Sequence, residues 1–193
     1  MKYDSESKLK DFIHIERNLI PTDVCNQVIE NIENESWSTH QWHTLSGDSF
    51  SENEKELSIV FAKSNMQKLL MPYVTDAALK YVNNYAFSDG RMQTFIHRVS
   101  KIRFNRYCVG ETMRQHYDHI HSLFDGYEKG IPVLSFVLNF NDDYEGANLY
   151  FWNDYEVSLK QGDVIMFPSV FMYPHGVTET LSGIRYSAVV WGW

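Results

Sequence analysis

The sequence predicts an α+β fold that is mainly β, with helices in the N-terminal half and a sandwich or jelly roll in the C-terminal half. Two observations support this prediction. Apolar residues recur at helical spacing before about residue 90, and short apolar segments separated by turn residues follow it. Many short strands in one half of a chain are typical of a jelly roll. We expect the helices to cover one face of a sheet.

The N-terminal half carries two helical signals. Thr22 opens the first, in which apolar residues recur at helical spacing as far as Ile32. The second starts near Ser64 and contains Pro72, which is expected to break or restart it because proline lacks the N–H donor and clashes with the preceding turn. Between the helices, residues 36–56 are polar and rich in turn formers. The sequence leaves open whether they form a hairpin or a lid.

The C-terminal half alternates between apolar segments and turn signals such as Glu145-Gly146 and Ser182-Gly183. The predicted strands are residues 98–107, 132–140, 147–152, 155–159, 163–167, 173–178 and 184–192. A chain of 193 residues suffices for one full hydrophobic core. We therefore expect a single domain over 1–193, with 1–90 as mainly helical support and 91–193 as the jelly-roll core that carries the functional site.

Composition limits the partners and the compartment. The net charge of −8 argues against a duplex nucleic-acid binder, because phosphate contacts need a basic face. No apolar run approaches the ~20 residues of a membrane span, and the N-terminus has no apolar signal core. Cys25 and Cys108 are too few for a disulfide scaffold, so both are interpreted as small core residues of a reduced, cytoplasmic protein. Nothing in the sequence indicates an oligomeric state.

The stretch from Arg114 to Gly126, RQHYDHIHSLFDG, concentrates potential metal ligands. His116 and Asp118 stand at i and i+2, which places them on one side of a strand. His175 follows the strand-like DVIMFP and is the best third ligand. Two histidines and one carboxylate leave open positions, as in non-haem Fe(II) sites. The alternatives are that His119 or His121 replaces His116, or that the pair is structural, since an isolated His-x-Asp is weak evidence.

The last predicted strand, in GIRYSAVVWGW, places Arg185 and Ser187 on one face and Tyr186 on the other. If the Arg185 face points into a barrel, the guanidinium needs an anionic partner. A carboxylate ligand would suit its planar fork of donors, and Ser187 could add a hydrogen bond. The alternative is a surface ion pair between Arg185 and an acid such as Glu145 or Glu179.

From about residue 99 to its end, the chain resembles the Fe(II)/2-oxoglutarate-dependent oxygenases, within the prolyl 4-hydroxylase-like group. The resemblance rests on the order of three segments: RFNRYCVGETMRQHYDHI, LSFVLNFNDDYEGANLYF and LKQGDVIMFPSVFMYPHGVTETLSGIRYSAVVWGW. In chain order, these segments contain the His-x-Asp pair, a Leu-Asn strand end, a Gly-Asp turn into a Phe-Pro strand, the second histidine and an arginine. The resemblance implies a double-stranded β-helix, a distorted jelly roll, with N-terminal helices supporting its sheet.

The resemblance also implies roles for individual residues. His116, Asp118 and His175 correspond to iron ligands, and Arg185 to the basic residue that binds the distal carboxylate of 2-oxoglutarate. Tyr107 corresponds to a tyrosine that lines the cosubstrate pocket. The implied cofactor and cosubstrates are Fe(II), 2-oxoglutarate and O2, with ascorbate as an optional addition. No catalytic residue beyond the metal centre is required.

Three departures from the family pattern bear on the substrate. Collagen-type relatives have Lys at the position of Arg185, Ser135 and Val137 stand where some relatives have Tyr or Thr, and the usual Gly-Gly is Gly146-Ala147. Hydroxylation of peptidyl proline, with succinate and CO2 as co-products, is the first expectation. A free amino acid or another small metabolite is the alternative substrate. A non-catalytic jelly-roll binding module and a zinc hydrolase are the alternative functions.

Two loops, 36–56 and 119–131, are expected to flank the mouth of the barrel, where they could close over an extended peptide. Trp42 and Tyr127 are the aromatic candidates for stacking on a proline ring, although ordinary, partly exposed aromatic residues would look the same in the sequence.

Overall fold

The computed structural model describes residues 9–43, 49–51, 55–85, 96–118 and 130–193. In chain order, its elements are a 3-10 helix at Leu9–Phe12, β1 at His14–Glu16, α1 at Thr22–Ile32, β2 at Ser38–Thr39, β3 at Trp42–His43, β4 at Ser49–Phe50, β5 at Ser58–Phe61, α2 at Ser64–Tyr85, β6 at Arg103–Tyr107, β7 at Met113–His116, β8 at Leu134–Asn139, β9 at Glu145–Gly146, β10 at Leu149–Phe151, β11 at Tyr155–Val157, β12 at Val164–Pro168, β13 at His175–Val177, β14 at Thr180–Ser182 and β15 at Arg185–Gly192.

Two antiparallel sheets form the core of the fold. The larger has the order β1-β12-β8-β15-β6-β5-β2, and the smaller has the order β11-β10-β13-β7. From β6 onward the chain passes repeatedly from one sheet to the other, which is the topology of a double-stranded β-helix. The prediction of a mainly β, α+β jelly roll is therefore confirmed. Two short pairs, β14-β9 and β3-β4, lie outside these sheets.

The two faces of the larger sheet have different environments. One face packs against α1 and α2 through Phe104, Phe136, Leu138, Met166, Tyr186, Ala188 and Val190. The other face meets the smaller sheet in a second apolar cluster that includes Tyr107, Val137, Ile165, Phe167, Met113, Leu149, Phe151 and Val177. Alternation along each strand produces this division. The interior between the two sheets is where the candidate functional residues lie.

Each predicted strand of the C-terminal half is present, with narrower bounds except for β12, which is shifted by one residue to Val164–Pro168. The first begins at Arg103, because Val99 forms only an isolated bridge with Gly192. The sequence pattern missed β1, β5, β7, β9 and β14. The last two include residues of the predicted turns Glu145-Gly146 and Ser182-Gly183. β7 reads MRQH and has no apolar alternation, whereas β1 and β5 are too short to show a clear period.

The expected break at Pro72 is wrong: α2 runs without interruption from Ser64 to Tyr85. Pro72 is exposed, as is Lys68, whose carbonyl loses its hydrogen bond to the missing N–H. That carbonyl lies on the solvent side, where water can satisfy it. The buried stripe of the helix continues across the proline and consists of Met66, Leu70, Val74, Ala77 and Tyr81.

The segment 36–56 contains strands. β2 joins the edge of the larger sheet beside β5, and β3 pairs with β4 through Trp42 and Phe50. Residues 44–48 and 52–54 lie outside the described part of the chain. Among the described residues, no helix has both the length and the apolar content that a membrane crossing requires. Cys25 and Cys108 are free thiols; Cys25 is buried and Cys108 is half-buried.

Candidate metal centre

Strand pairing between β7 and β13 brings together two histidines from distant parts of the chain. His116 and His175 are register partners, and their ring centroids lie 4.4 Å apart. Asp118 follows β7 directly. Its Oδ1 lies 3.6 Å from His116 Nε2, and its Oδ2 lies 3.7 Å from His175 Nε2. One donor atom from each residue lies within 4.8 Å of the other two, a separation that a single metal ion can bridge.

Backbone carbonyls orient both imidazole rings. His116 Nδ1 lies 2.9 Å from the Arg114 carbonyl oxygen, and His175 Nδ1 lies 3.0 Å from the Tyr173 carbonyl oxygen. Since a carbonyl only accepts, each Nδ1 carries the proton and donates it. Each Nε2 therefore holds a free lone pair directed towards Asp118. This is the tautomer that metal-binding histidines adopt when a backbone carbonyl supports them.

The electrostatics of the cluster favour unprotonated donors. Burial lowers the pKa of His175 to about 4, against the opposing charge of Asp118. Burial alone would raise the pKa of Asp118, but His175, His116 and a hydrogen bond from Ser135 together bring it below its usual range. At neutral pH the cluster therefore presents a neutral His175 and an ionised Asp118.

Two buried serines support Asp118, and the sequence analysis assigned them no such role. Ser135 Oγ donates to Asp118 Oδ2 at 2.5 Å and lies 2.7 Å from Ser169 Oγ. Ser135 lies on β8 and Ser169 directly follows β12, its neighbour in the larger sheet. A hydroxyl on one carboxylate oxygen fixes the orientation of the group and leaves the other oxygen for a ligand.

The donor set fits Fe(II). Two neutral imidazoles and one carboxylate on one side of an ion match the facial arrangement of non-haem iron sites, which keeps further positions open. Of the described residues, His116, Asp118 and His175 are the set of His, Cys, Asp and Glu side chains close enough to hold an ion. His119 and His121, the alternatives left open by the sequence, lie outside the described residues.

Arg185 lies in the interior between the sheets and is 1 % exposed. Its Nε donates to Asn139 Oδ1 at 2.9 Å, one terminal nitrogen donates to the Ala147 carbonyl at 2.9 Å, and its Cζ lies 5.5 Å from the Tyr107 ring centroid. No carboxylate of the described residues forms an ion pair with it. Because Asn139, the Ala147 carbonyl and Tyr107 are all neutral, the guanidinium is a buried positive charge without an anion among the described residues.

The alternative surface pair of Arg185 does not form. Glu179 lies 3.7 Å from Lys55 instead, and Glu145 forms no ion pair among the described residues. Asn139, which orients Arg185, was not predicted as a site residue. The Leu-Asn end of its strand was nevertheless part of the motif, so the sequence carried a signal for it.

The other predicted pocket residues share this interior. Tyr107 is the register partner of Arg185, is 2 % exposed, and donates its hydroxyl to Met113 Sδ at 3.7 Å. Burial raises the pKa of Tyr107, against the charges of Arg185 and Arg103. Ser187 is buried two residues beyond Arg185 on the same face, with Asn105 and Asn139 as its register partners. Both predicted residues therefore lie near Arg185 and point the same way as it does.

Trp42 lies beside the metal cluster. Its ring centroid is 5.3 Å from that of His116, and its Nε1 donates to Glu56 Oε1 at 2.6 Å. Arg114 covers the ring, with Cζ 4.1 Å from its centroid. Trp42 is thus held at the edge of the site by its neighbours. Tyr127 and residues 119–129 of the second predicted loop lie outside the described part of the chain.

Comparisons with known proteins find similarity to oxygenases and hydroxylases. Residues 102–193 match a family model described as the 2OG-Fe(II) oxygenase superfamily. A PKHD-type hydroxylase of Acinetobacter baumannii is 31% identical over 101 residues, which are 49% of this chain and 44% of the relative. A PKHD-type hydroxylase of Stenotrophomonas maltophilia is 32% identical over 94 residues, which are 46% of this chain and 41% of the relative. The matched region therefore spans less than half the length of these curated relatives.

Solved structures share the fold over nearly the whole chain. A prolyl-4-hydroxylase of Pseudomonas putida superposes with a TM-score of 0.64 at 16% identity, covering 93% of this chain and 91% of that one. A prolyl hydroxylase of Trichoplax adhaerens, in complex with a hypoxia-inducible-factor peptide, gives a TM-score of 0.68 at 15% identity, covering 94% and 83%. These likenesses establish the double-stranded β-helix. Residues 102–193, the part of the chain that the family model matches, resemble the 2OG-Fe(II) oxygenase superfamily in sequence.

Proposed function

We propose that the protein is an Fe(II)- and 2-oxoglutarate-dependent dioxygenase that hydroxylates an unactivated C–H bond. The observation that carries the proposal is the presence, in one barrel, of the His116–Asp118–His175 cluster and of Arg185, a buried cation without a protein anion. This reaction needs a metal ion with open coordination positions and a cation that can bind a carboxylate of 2-oxoglutarate.

The three cluster residues would hold Fe(II). His116 and His175 would bind through Nε2, the nitrogen that their carbonyl contacts leave unprotonated. Asp118 would bind through the carboxylate that Ser135 orients. When bound, Fe(II) with 2-oxoglutarate and O2 supplies the oxidative chemistry that converts 2-oxoglutarate to succinate and CO2 and a substrate C–H to C–OH.

Arg185 would bind the distal carboxylate of 2-oxoglutarate. Asn139 and the Ala147 carbonyl hold the guanidinium in one orientation, and Tyr107 lies over it. Because Arg185 is almost fully buried, water competes weakly for its charge, and a charge-assisted hydrogen bond is strong there. Ser187 lies on the same face and would contribute a hydroxyl to this pocket.

Two substrate classes are consistent with this reaction. Peptidyl proline is the first candidate, through the resemblance to prolyl hydroxylases, and the Trichoplax relative is described with a bound peptide. A free amino acid or another small metabolite is the second. The curated relatives are described only as PKHD-type hydroxylases, which leaves both classes to be tested.

The direct test is formation of succinate from 2-oxoglutarate by purified protein supplied with Fe(II) and O2. We expect succinate from the wild type and none above background from His175→Ala. His97→Ala removes an exposed histidine and serves as the matched control, with wild-type turnover expected. Iron-dependent turnover that survives in His175→Ala would contradict the proposal, and its absence from the wild type would favour a non-catalytic binding module.

A further inference from the structure

A second arginine, Arg103, faces the same interior and has no part in the function proposed above. It lies on β6, where Arg103, Asn105 and Tyr107 alternate with Phe104 and Arg106, and Tyr107 faces the interior. Arg103 Nε donates to Asn105 Oδ1 at 3.2 Å. Its Cζ lies 5.1 Å from the ring centroid of Trp191, which is on the Arg185 face of β15. The Arg103 guanidinium is therefore held at the opposite end of this face from Arg185.

Arg103 lies close to the metal cluster. Trp191, on which it stacks, is the register partner of Ser135, the residue that donates to Asp118. Burial lowers the pKa of Arg103, while the charges of Tyr107 and Asp118 raise it. No carboxylate of the described residues forms an ion pair with Arg103. The arginine is thus a partly buried cation beside the metal cluster, with the neutral Asn105 side chain as an acceptor.

Trp191 supplies an additional donor at the same place. Its Nε1 is buried and has no hydrogen-bond partner, one of very few such atoms in the described part of the chain. Buried N–H groups without partners are uncommon and cost free energy. The Arg103 guanidinium covers the indole ring, so the two side chains present donors at one place, where the indole N–H has no acceptor.

Formal charges indicate the sign of that acceptor. In the function proposed above, Fe(II) contributes two positive charges and Asp118 one negative charge. 2-Oxoglutarate contributes two negative charges and Arg185 one positive charge, so this set is neutral. Arg103 adds one positive charge that has no anionic partner in this set, and a carboxylate placed beside it would stabilise a partly buried cation.

We propose that Arg103 and Trp191 bind a free carboxylate of the substrate, so that the hydroxylated carbon belongs to a free amino acid or to a C-terminal residue rather than to an internal residue of a peptide. This inference rests on the proposed oxygenase function and selects between its substrate classes. An internal peptidyl proline has only neutral amides next to its ring, which would leave Arg103 without an anionic partner.

The test compares three forms of each probe: the free amino acid, its N-acetyl derivative and its amide. The protein amino acids are first screened for stimulation of succinate formation. Binding of the active members to anaerobic protein loaded with Fe(II) and 2-oxoglutarate is then measured by calorimetry. We expect a free acid to bind and its amide to bind roughly tenfold to a hundredfold more weakly, the range of a charge-assisted hydrogen bond. Binding of the N-acetyl acid would identify a peptide C-terminus as the source of the carboxylate.

Variants assign the effect to the two donors. Arg103→Gln should weaken binding of the free acid by roughly tenfold to a hundredfold, the factor expected between acid and amide, and leave metal and 2-oxoglutarate binding unchanged. Arg103→Lys should restore part of the affinity for the free acid. Trp191→Phe, which removes the N–H and keeps an aromatic ring, should weaken binding of the free acid a few-fold. Arg106→Gln is the matched control. Arg106 lies on the same strand, faces the opposite side and stacks on Trp37 at 4.7 Å, so wild-type binding is expected.

Three results would overturn the inference. Amides that bind as tightly as the free acids would show that the protein does not recognise a substrate carboxylate. Loss of metal or 2-oxoglutarate binding in Arg103→Gln would show that the arginine only balances Asp118 or the cosubstrate. Failure of every protein amino acid, in all three forms, to stimulate a protein that does bind Fe(II) and 2-oxoglutarate would reject the substrate class. A protein that binds neither Fe(II) nor 2-oxoglutarate would instead contradict the proposed function itself.

Discussion

His116 and His175 stand opposite each other on β7 and β13, with their ring centroids 4.4 Å apart and each Nδ1 donating to a backbone carbonyl. The geometry of the metal cluster therefore depends on the pairing of two short strands of the smaller sheet. Any change that moves β13 relative to β7 should change metal binding even when all three donor side chains remain.

Gly176→Ala tests this dependence on strand pairing. A Cβ at Gly176 would lie 2.5 Å from the Tyr150 hydroxyl and 2.7 Å from the Met113 carbonyl oxygen of β7. Because a backbone carbonyl cannot move freely, β13 must shift. We expect a loss of about 1–3 kcal/mol in the free energy of unfolding, typical of overpacking, together with weaker Fe(II) binding. Urea denaturation and equilibrium dialysis measure the two effects. Unchanged values for both would mean that the pairing tolerates the extra methyl group.

Ser135→Ala tests the support of Asp118. The variant keeps all three donors but removes the hydroxyl that binds Oδ2. We expect Fe(II) affinity to fall by roughly tenfold to a hundredfold, as for other residues that orient metal ligands. Anaerobic equilibrium dialysis provides the measurement. Ser158→Ala, at an exposed serine, is the control and should bind iron as the wild type does. Equal affinities for the two variants would rule out an orienting role.

Arg185→Gln tests the assignment of the cosubstrate pocket. Glutamine retains a donor but no charge, so 2-oxoglutarate should bind roughly tenfold to a hundredfold more weakly while Fe(II) affinity is unchanged. The 2-oxoglutarate affinity of Arg185→Lys should lie between those of the wild type and Arg185→Gln, because lysine keeps the charge without the planar fork of donors. Calorimetric titration of 2-oxoglutarate into anaerobic, iron-loaded protein separates the effects. Wild-type affinity in Arg185→Gln would remove Arg185 from the pocket.

Pro72→Ala tests the continuity of α2. The proline occupies an exposed position within an unbroken helix, where it removes one hydrogen bond and clashes with the preceding turn. Alanine is the best helix former, so the free energy of unfolding should increase by about 1–3 kcal/mol in urea denaturation. Leu79→Ala, at an exposed residue of the same helix, should have a much smaller effect. A decrease in stability for Pro72→Ala would show that the proline marks a needed bend.

The sequence was informative where a pattern is local. Period-two alternation in GIRYSAVVWGW separated the Arg185 face from the Tyr186 face, and the structure puts Tyr186 in the helix-side core. The family motif also selected His116, Asp118 and His175 before their proximity was known, and the structure brings these three together. Their roles as iron ligands remain predictions.

Other parts of the site depend on contacts that no local pattern encodes. Ser135 reaches Asp118, and Arg103 stacks on Trp191, only through the register of strands far apart in the chain. Serine and arginine on a strand otherwise look like ordinary surface residues. The continuous helix at Pro72 has a similar origin, because tertiary packing of the buried stripe outweighs the local cost of proline.

The most direct test of the oxygenase assignment is an anaerobic titration of the protein with Fe(II) and 2-oxoglutarate, followed by visible absorption. We expect a weak charge-transfer band in the visible range for the wild type and no such band for His116→Ala or Arg185→Ala at the same ligand concentrations. A wild-type protein that binds Zn(II) or no metal, and shows no band, would contradict the proposed oxygenase function and leave a shared fold with a different function.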